Sequence, residues 1–177
     1  MEEREKALEL ENRKKIYLHI SKFPGSYLRE IQKALQLETG VLQYHLGYLE
    51  KKGLITVKEE RYRKRYFPAG KIPYGDKDII SLLRQRILRR IVVYVLLNPR
   101  ATYNQIAAQF TISHSTFSYH LKKLLESNVI KQIKEGAEPF YEVADEDKIA
   151  KILITYKSSF LDDVVDRFVD AWLELHS

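Results

Sequence analysis

The 177-residue sequence contains no cysteine. No disulfide can form, and any metal site would have to be built from histidine and carboxylates alone. The histidines stand at 19, 45, 114, 120 and 176 without a His-Glu-x-x-His spacing, so neither a metal nor another cofactor is expected. No GxGxxG or P-loop run occurs, and the serines lack an acid–base partner pattern, so nothing points to an enzyme. No stretch approaches the roughly 18 uninterrupted apolar residues that cross a bilayer. The start, MEEREKALELENRKK, is charged and unlike a secretory leader. No membrane partner is expected, and the composition fits a cytoplasmic protein. A Ser/Gly-rich tether is missing as well.

What is present is unevenly distributed. The formal net charge is +6. Residues 1–75 hold 16 Lys/Arg against 10 Asp/Glu, whereas residues 76–177 hold 14 of each. The excess is concentrated in KEERYRKRYFPAGK, residues 58–71, and a local basic patch indicates a polyanion partner better than a basic total does.

The chain also repeats itself. QYHLGYL at 43–49 returns as SYHLKKL at 118–124, and the same 75-residue offset, without a gap, gives 10 identities over positions 16–66. Ile16 falls on Ile91, Pro24 on Pro99, Ile31 on Ile106, Leu49 on Leu124, Ile55 on Ile130 and Tyr66 on Tyr141. One offset shared by helix-like, turn-like and strand-like stretches indicates a duplicated module.

Each copy reads helix, helix, turn, helix, strand, strand. In the first, Ile16, Leu18, Ile20 and Phe23 suit a helix ending at Pro24-Gly25, and SYLREIQKAL (26–35) a short second one. TGVLQYHLGYLEKKG is a third, apolar at Val41, Leu42, His45, Leu46 and Leu49 and stopped by Gly53. Leu54–Val57 and Arg65–Phe67 are predicted strands around a charged tip. In the second, Ile87–Leu97, YNQIAAQF (103–110) and HSTFSYHLKKLLES follow one another, with Ser113 as a helix cap and a hairpin around EGAEP. The pattern predicts a mainly α fold with small β-hairpin wings: two tandem winged helix-turn-helix modules plus C-terminal helices. The boundaries are 1–75, 76–145 and 146–177, the last an amphipathic helical segment for packing or dimerisation.

Residues 76–86 are expected to extend the first helix of the second module backward as one long connector carrying Arg84, Arg86, Arg89 and Arg90. The segment 146–177 reads as one or two helices with an apolar stripe that includes Ile149, Leu153, Leu161, Val165, Phe168 and Trp172. Asp162, Asp163 and Asp166 fall on its exposed acidic side. The stripe needs a partner surface, either the second module or its equivalent in another chain, and a homodimer through these helices is the preferred expectation.

A third helix of this size fits the major groove of duplex DNA. Thr39, Gln43, Tyr44 and Tyr48 in the first copy, and His114, Ser115, Ser118, Tyr119, Lys122 and Lys123 in the second, are the candidate contacts. Gln43 carries an amide able to pair with adenine, and Ser118 stands at the same repeat position. Arg61, Tyr62, Arg63, Lys64 and Arg65 crowd the first wing and suit phosphates or a narrow minor groove. The second tip contains Glu135 and Glu138 and has no such density. His45 and His120 point inward. Duplex DNA is the expected partner; the alternatives are a winged-helix scaffold for proteins, and single-stranded nucleic acid stacked on Tyr62, Tyr66 and Phe67.

YNQIAAQFTISHSTFSYHLKKLLESNVI and YLREIQKALQLETGVLQYHLGYLEKKGLI resemble ArsR-like winged-helix regulators, especially archaeal proteins with tandem modules. The shared element is S/T-x-x-S-Y-H-L-x-x-L, which the second copy matches well; the first has Gly40 and Gln43 in place of Ser115 and Ser118. The resemblance covers about residues 13–70 and 85–145. It implies DNA-recognition third helices, hairpin wings, and transcriptional regulation, often repression; promoter occupancy would exclude the transcription machinery, a further expected partner, while activation is equally compatible with the residues. The metal-sensing cysteines or clustered histidines of that family are missing, so the metal response is not carried over.

Overall fold

In the computed structural model the described residues are 10–160 and 162–176. Residues 1–9 of the first module and Leu161 of the C-terminal stripe lie outside the described residues. The chain divides into two compact units between Ser81 and Leu82.

The first unit opens with α1 (Glu11–Lys22), whose Ile16 and Ile20 are fully buried while Leu18 faces out. Pro24 cannot continue the helix, and β1 (Ser26–Tyr27) follows directly. Helix α2 (Leu28–Leu35) starts where the Glu30 carboxylate accepts the Tyr27 backbone N–H at 2.8 Å, closing one orphan donor of the first turn. Helix α3 (Thr39–Lys51) buries Leu42, His45, Leu46 and Leu49 at helical spacing. It stops at Gly53, whose φ of +64° takes the left-handed conformation a helix end favours. Strands β2 (Ile55–Glu60) and β3 (Arg63–Pro68) complete an antiparallel sheet ordered β1-β3-β2, with Tyr66 opposite both Ser26 and Val57. Ile16, Ile20, Ile31, Leu42, Leu46, Leu49, Leu54 and Ile55 form the core between helices and sheet. Each such side chain contributes about 1.5–3 kcal/mol by leaving water.

Helix α4 (Tyr74–Leu83) follows and holds β2 through Lys77, whose ammonium donates to the Thr56 hydroxyl at 2.8 Å. The expected continuous connector is interrupted: α4 ends at Leu83, Gln85 is extended, and α5 (Arg86–Leu97) begins anew. The interruption is stabilised by Arg89, which donates to the released Leu83 carbonyl at 2.7 Å.

The second unit repeats the first. Helix α5 buries Leu88, Ile91, Val92 and Val95; β4 (Ala101–Thr102), α6 (Tyr103–Ala107) and α7 (His114–Glu126) follow. Strands β5 (Ile130–Ile133) and β6 (Phe140–Val143) join β4 in the order β4-β6-β5. Asn128, at φ +55°, holds the repeat position of Gly53. The fold is therefore mainly helical with two small hairpin wings. The two-residue strands β1 and β4 are an addition to the pattern read from sequence.

The C-terminal segment forms three helices, α8 (Glu146–Thr155), α9 (Lys157–Phe160) and α10 (Asp163–Leu175). Helix α10 buries Val165, Phe168 and Val169 and packs on α5 and α8. Much of the apolar stripe is thus covered within the chain; Leu173 and Leu175 stay exposed. Asp162 does not lie on an open acidic face. Its carboxylate caps α10 through the Val164 N–H at 3.1 Å and pairs with Arg89 at 2.6 Å, the two side chains being 7% and 5% exposed. Arg89 is correspondingly absent from any basic surface cluster.

Candidate nucleic-acid interface

Along α3 the core residues recur every three to four positions, which turns Thr39, Gln43 and Tyr44 outward together. Gln32 of α2 donates to the Thr39 hydroxyl at 2.8 Å and fixes the start of the helix. Tyr48 departs from the expected set. It is half-buried against the core, and the Arg13 guanidinium lies 3.6 Å over its ring.

The first wing closes in a two-residue turn, Arg61-Tyr62, between the paired Glu60 and Arg63. Such a turn calls for positive φ at its first position, and Arg61 adopts +37°; Gly136 occupies the equivalent repeat position in the second wing. Tyr62 is 97% exposed at the tip. Arg61, Arg63 and Lys64 are exposed as well. Lys64 is loosely paired with Glu59 at 3.4 Å on the open surface, a contact worth under about 1 kcal/mol. Arg63 reaches back to within 5.2 Å of the Tyr27 ring.

Arg65 corrects the sequence expectation. It is 2% exposed, pairs with Glu60 at 2.9 Å, donates to the Gly25 carbonyl at 2.8 Å and lies 4.0 Å over Tyr27. Its charge is used inside the module, because Tyr27, its partner on the neighbouring strand β1, lies on the same face of the sheet. Replacing Arg65 by Gln is expected to destabilise the first module by about 1–3 kcal/mol, since the buried Gly25 carbonyl loses its donor and the partly exposed Glu60 its cation. Denaturant unfolding reads this, and the salt dependence of ligand binding should stay unchanged. Tyr66 and Phe67 are also buried. Of the three rings considered for single-strand stacking, only Tyr62 is available.

Between α2, α3 and the wing runs a groove of about 900 Å³, lined by Arg29, Gln43, Gly47, Glu50, Arg63 and Lys64 among others. It brings the helix amide and two wing cations to one surface.

In the second module Ser113 caps α7 by accepting the Thr116 N–H at 3.2 Å, and its hydroxyl lies 3.0 Å from that of Ser115 and 2.8 Å from that of Thr116. Tyr103 of α6 donates to the His114 carbonyl at 3.3 Å and lies 2.8 Å from the Ser118 hydroxyl. His114 stacks on the same tyrosine ring. Tyr119 is exposed, as is Lys122, which faces Glu126 at 3.7 Å. Lys123 turns away from that face: it is half-buried and donates to Gln85 at 3.1 Å. The second wing spends Glu135 on Arg100, at 3.2 Å.

His45 and His120 face inward at equivalent positions, each with a buried Nδ1 that has no hydrogen-bond partner. Burial lowers both pKa values, assisted by Arg13 beside His45 and by Lys123 beside His120. The folded state therefore resists their protonation. Stability is expected to be full above the ordinary histidine range and to fall on acidification through it, and replacing both histidines by leucine should flatten that part of a pH–unfolding profile.

Residues 10–78 match a family model described as the HVO_0163 N-terminal HTH domain, and residues 76–131 one described as winged helix-turn-helix DNA-binding. Helix-turn-helix family models thus match residues 10–131 between them, and both modules take the winged form. The chain is similar to an archaeal helix-turn-helix regulator. It is 34% identical over 141 residues to MJ1398 of Methanocaldococcus jannaschii, an uncharacterized HTH-type transcriptional regulator. That match covers 77% of this chain, which spans only 34% of the relative's length. Among solved structures, reduced HlyU from Vibrio cholerae N16961 aligns at 25% identity with a TM-score of 0.34, over 45% of this chain and 80% of its own. The matched modules are regulatory rather than catalytic folds. Among the described residues no group of three or more His, Asp or Glu could hold a metal ion, and no helix is long and apolar enough to cross a membrane.

Proposed function

We propose that the chain is a sequence-specific, duplex-DNA-binding transcriptional regulator of the ArsR-like kind. The third helix of the first module enters the major groove while its basic wing follows the phosphate backbone. One observation carries this reading: Arg63 and Lys64 line one groove of about 900 Å³ with Gln43, and Arg61 is exposed at the adjoining wing tip. Phosphate contacts from the wing set depth and register, and side chains of the helix meet base edges. Thr39 and Tyr44 extend that face. In the second module His114, Ser115, Ser118, Tyr119 and Lys122 offer further contacts. Arg65, Tyr48 and Lys123 drop out of the contact set because their side chains are engaged inside their modules.

The burial of Tyr66 and Phe67 favours duplex over single strand, since one exposed ring makes no stacking platform. Competition tests this directly. A labelled duplex bound by the full chain should be displaced by unlabelled duplex and not by an equal concentration of either strand; preferential displacement by the single strand would reverse the assignment. A homodimer, if formed through the C-terminal helices, has Leu173 and Leu175 to use, and a solution mass measurement decides it. Regulation follows from occupancy of a promoter, where the protein meets the transcription machinery.

A further inference from the structure

The duplication provides its own control. At the 75-residue offset, Gln43 corresponds to Ser118, Gly47 to Lys122, and Arg61, Tyr62, Arg63 and Lys64 to Gly136, Ala137, Glu138 and Pro139. We infer that discrimination between base sequences resides in the first module alone, and that the third helix of the second module touches duplex DNA without reading it. This rests on the DNA-binding reading above and divides its labour.

The hydrogen-bond inventory separates the two helices. The Tyr103 hydroxyl lies 2.8 Å from that of Ser118 and 3.3 Å from the His114 carbonyl, so Ser118 is engaged within its own module. The hydroxyls of Ser113, Ser115 and Thr116 close on one another within 3.0 Å. Lys123 is bonded to Gln85, and Lys122 lies beyond the N-terminal turns that meet base edges, against Glu126. What α7 presents outward is short hydroxyls, the His114 imidazole, and the Tyr119 ring with its hydroxyl. It has no amide or guanidinium free to make a bidentate match with a base.

Helix α3 differs at each of these points. Among the described residues the Gln43 amide is engaged by no other side chain, and it stands at the edge of an open groove. Gly47 lines that groove with no side chain, where the second copy carries a lysine. The wing supplies the second difference. Base reading requires a fixed register, which phosphate contacts provide. The first wing has three exposed cations for this, whereas the second presents Glu138 at the position of Arg63, and Glu138 repels phosphate.

Selection from a randomised duplex pool tests the assignment with the full chain and its exposed-residue variants Gln43→Ala, Ser118→Ala and Tyr119→Ala. The wild type should recover one contiguous sequence block. Gln43→Ala should lose roughly ten-fold or more of the preference at one or two positions in that block. Ser118→Ala and Tyr119→Ala should recover the same block, with affinity lowered alike on selected and random duplexes. A second block that changes with Ser118→Ala or Tyr119→Ala would overturn the inference and leave duplex binding intact, as would a block that Gln43→Ala does not alter. Absence of any duplex binding by the wild type would instead remove the reading beneath it.

Discussion

Replacing Arg61, Arg63 and Lys64 together by glutamine should lower affinity for duplex DNA by roughly two to three orders of magnitude at about 0.1 M salt. The size follows from counterion release: each cation that neutralises a phosphate contributes about 0.9 to the slope of log affinity against log salt. Removing three should reduce that slope by about 2 to 3, and the loss should be equal on selected and random sequences. All three side chains are exposed, so the unfolding free energy should move by no more than about 0.5 kcal/mol. Titrations at several salt concentrations, beside denaturant unfolding of the same variant, separate a lost contact from a lost fold. An unchanged slope would show that these cations face water in the complex.

The second large effect is on stability. Asp162→Asn keeps an oxygen to cap α10 but leaves the Arg89 charge buried without its counter-ion. A loss of about 3–5 kcal/mol is expected, seen as a large drop in the unfolding midpoint. Pairing it with Arg89→Met should restore much of the loss, because the cost lies in the unpaired charge more than in the missing contact. The same pair predicts an acid limit. Burial pushes the Asp162 carboxyl up, but the Arg89 hydrogen bond, the Val164 N–H and the charges of Arg89 and Arg86 more than offset it, and its pKa is lowered. Its contribution is therefore complete above the ordinary carboxylate range and is lost as pH falls through the depressed folded value. Asp162→Asn should remove that part of the acid transition.

The two modules were legible in the sequence because their information is local and periodic. Ile16, Ile20, Leu42, Leu46 and Leu49 recur at helical spacing, Pro24 and Gly53 mark ends, and one offset carries every element into the second copy. The fate of individual charges was not legible. Arg65 lies in the same basic run as Arg61 and Arg63, yet the two-residue strand β1 brings Tyr27 and the Gly25 carbonyl over it. A strand that short leaves no alternation to read. Arg89 and Asp162 meet across 73 positions, and no spacing rule joins an arginine counted as connector charge to an aspartate counted as helix surface. The break at Gln85 has the same origin, since Arg89 accommodates it from the far side of the turn. For the candidate site, the positions of Gln43, Tyr44 and the wing tip followed from pattern. Tyr48 and Lys123 did not, because each is drawn back by one partner, Arg13 or Gln85, that the pattern does not connect to it.

The central claim is that an open set of cations beside a projecting helix makes one surface for a double helix. Equilibrium titration of the full chain with a labelled duplex, from low salt upward, addresses it most directly. Saturable binding should appear, with log affinity falling linearly as log salt rises. Failure to saturate even at the lowest salt would contradict the account.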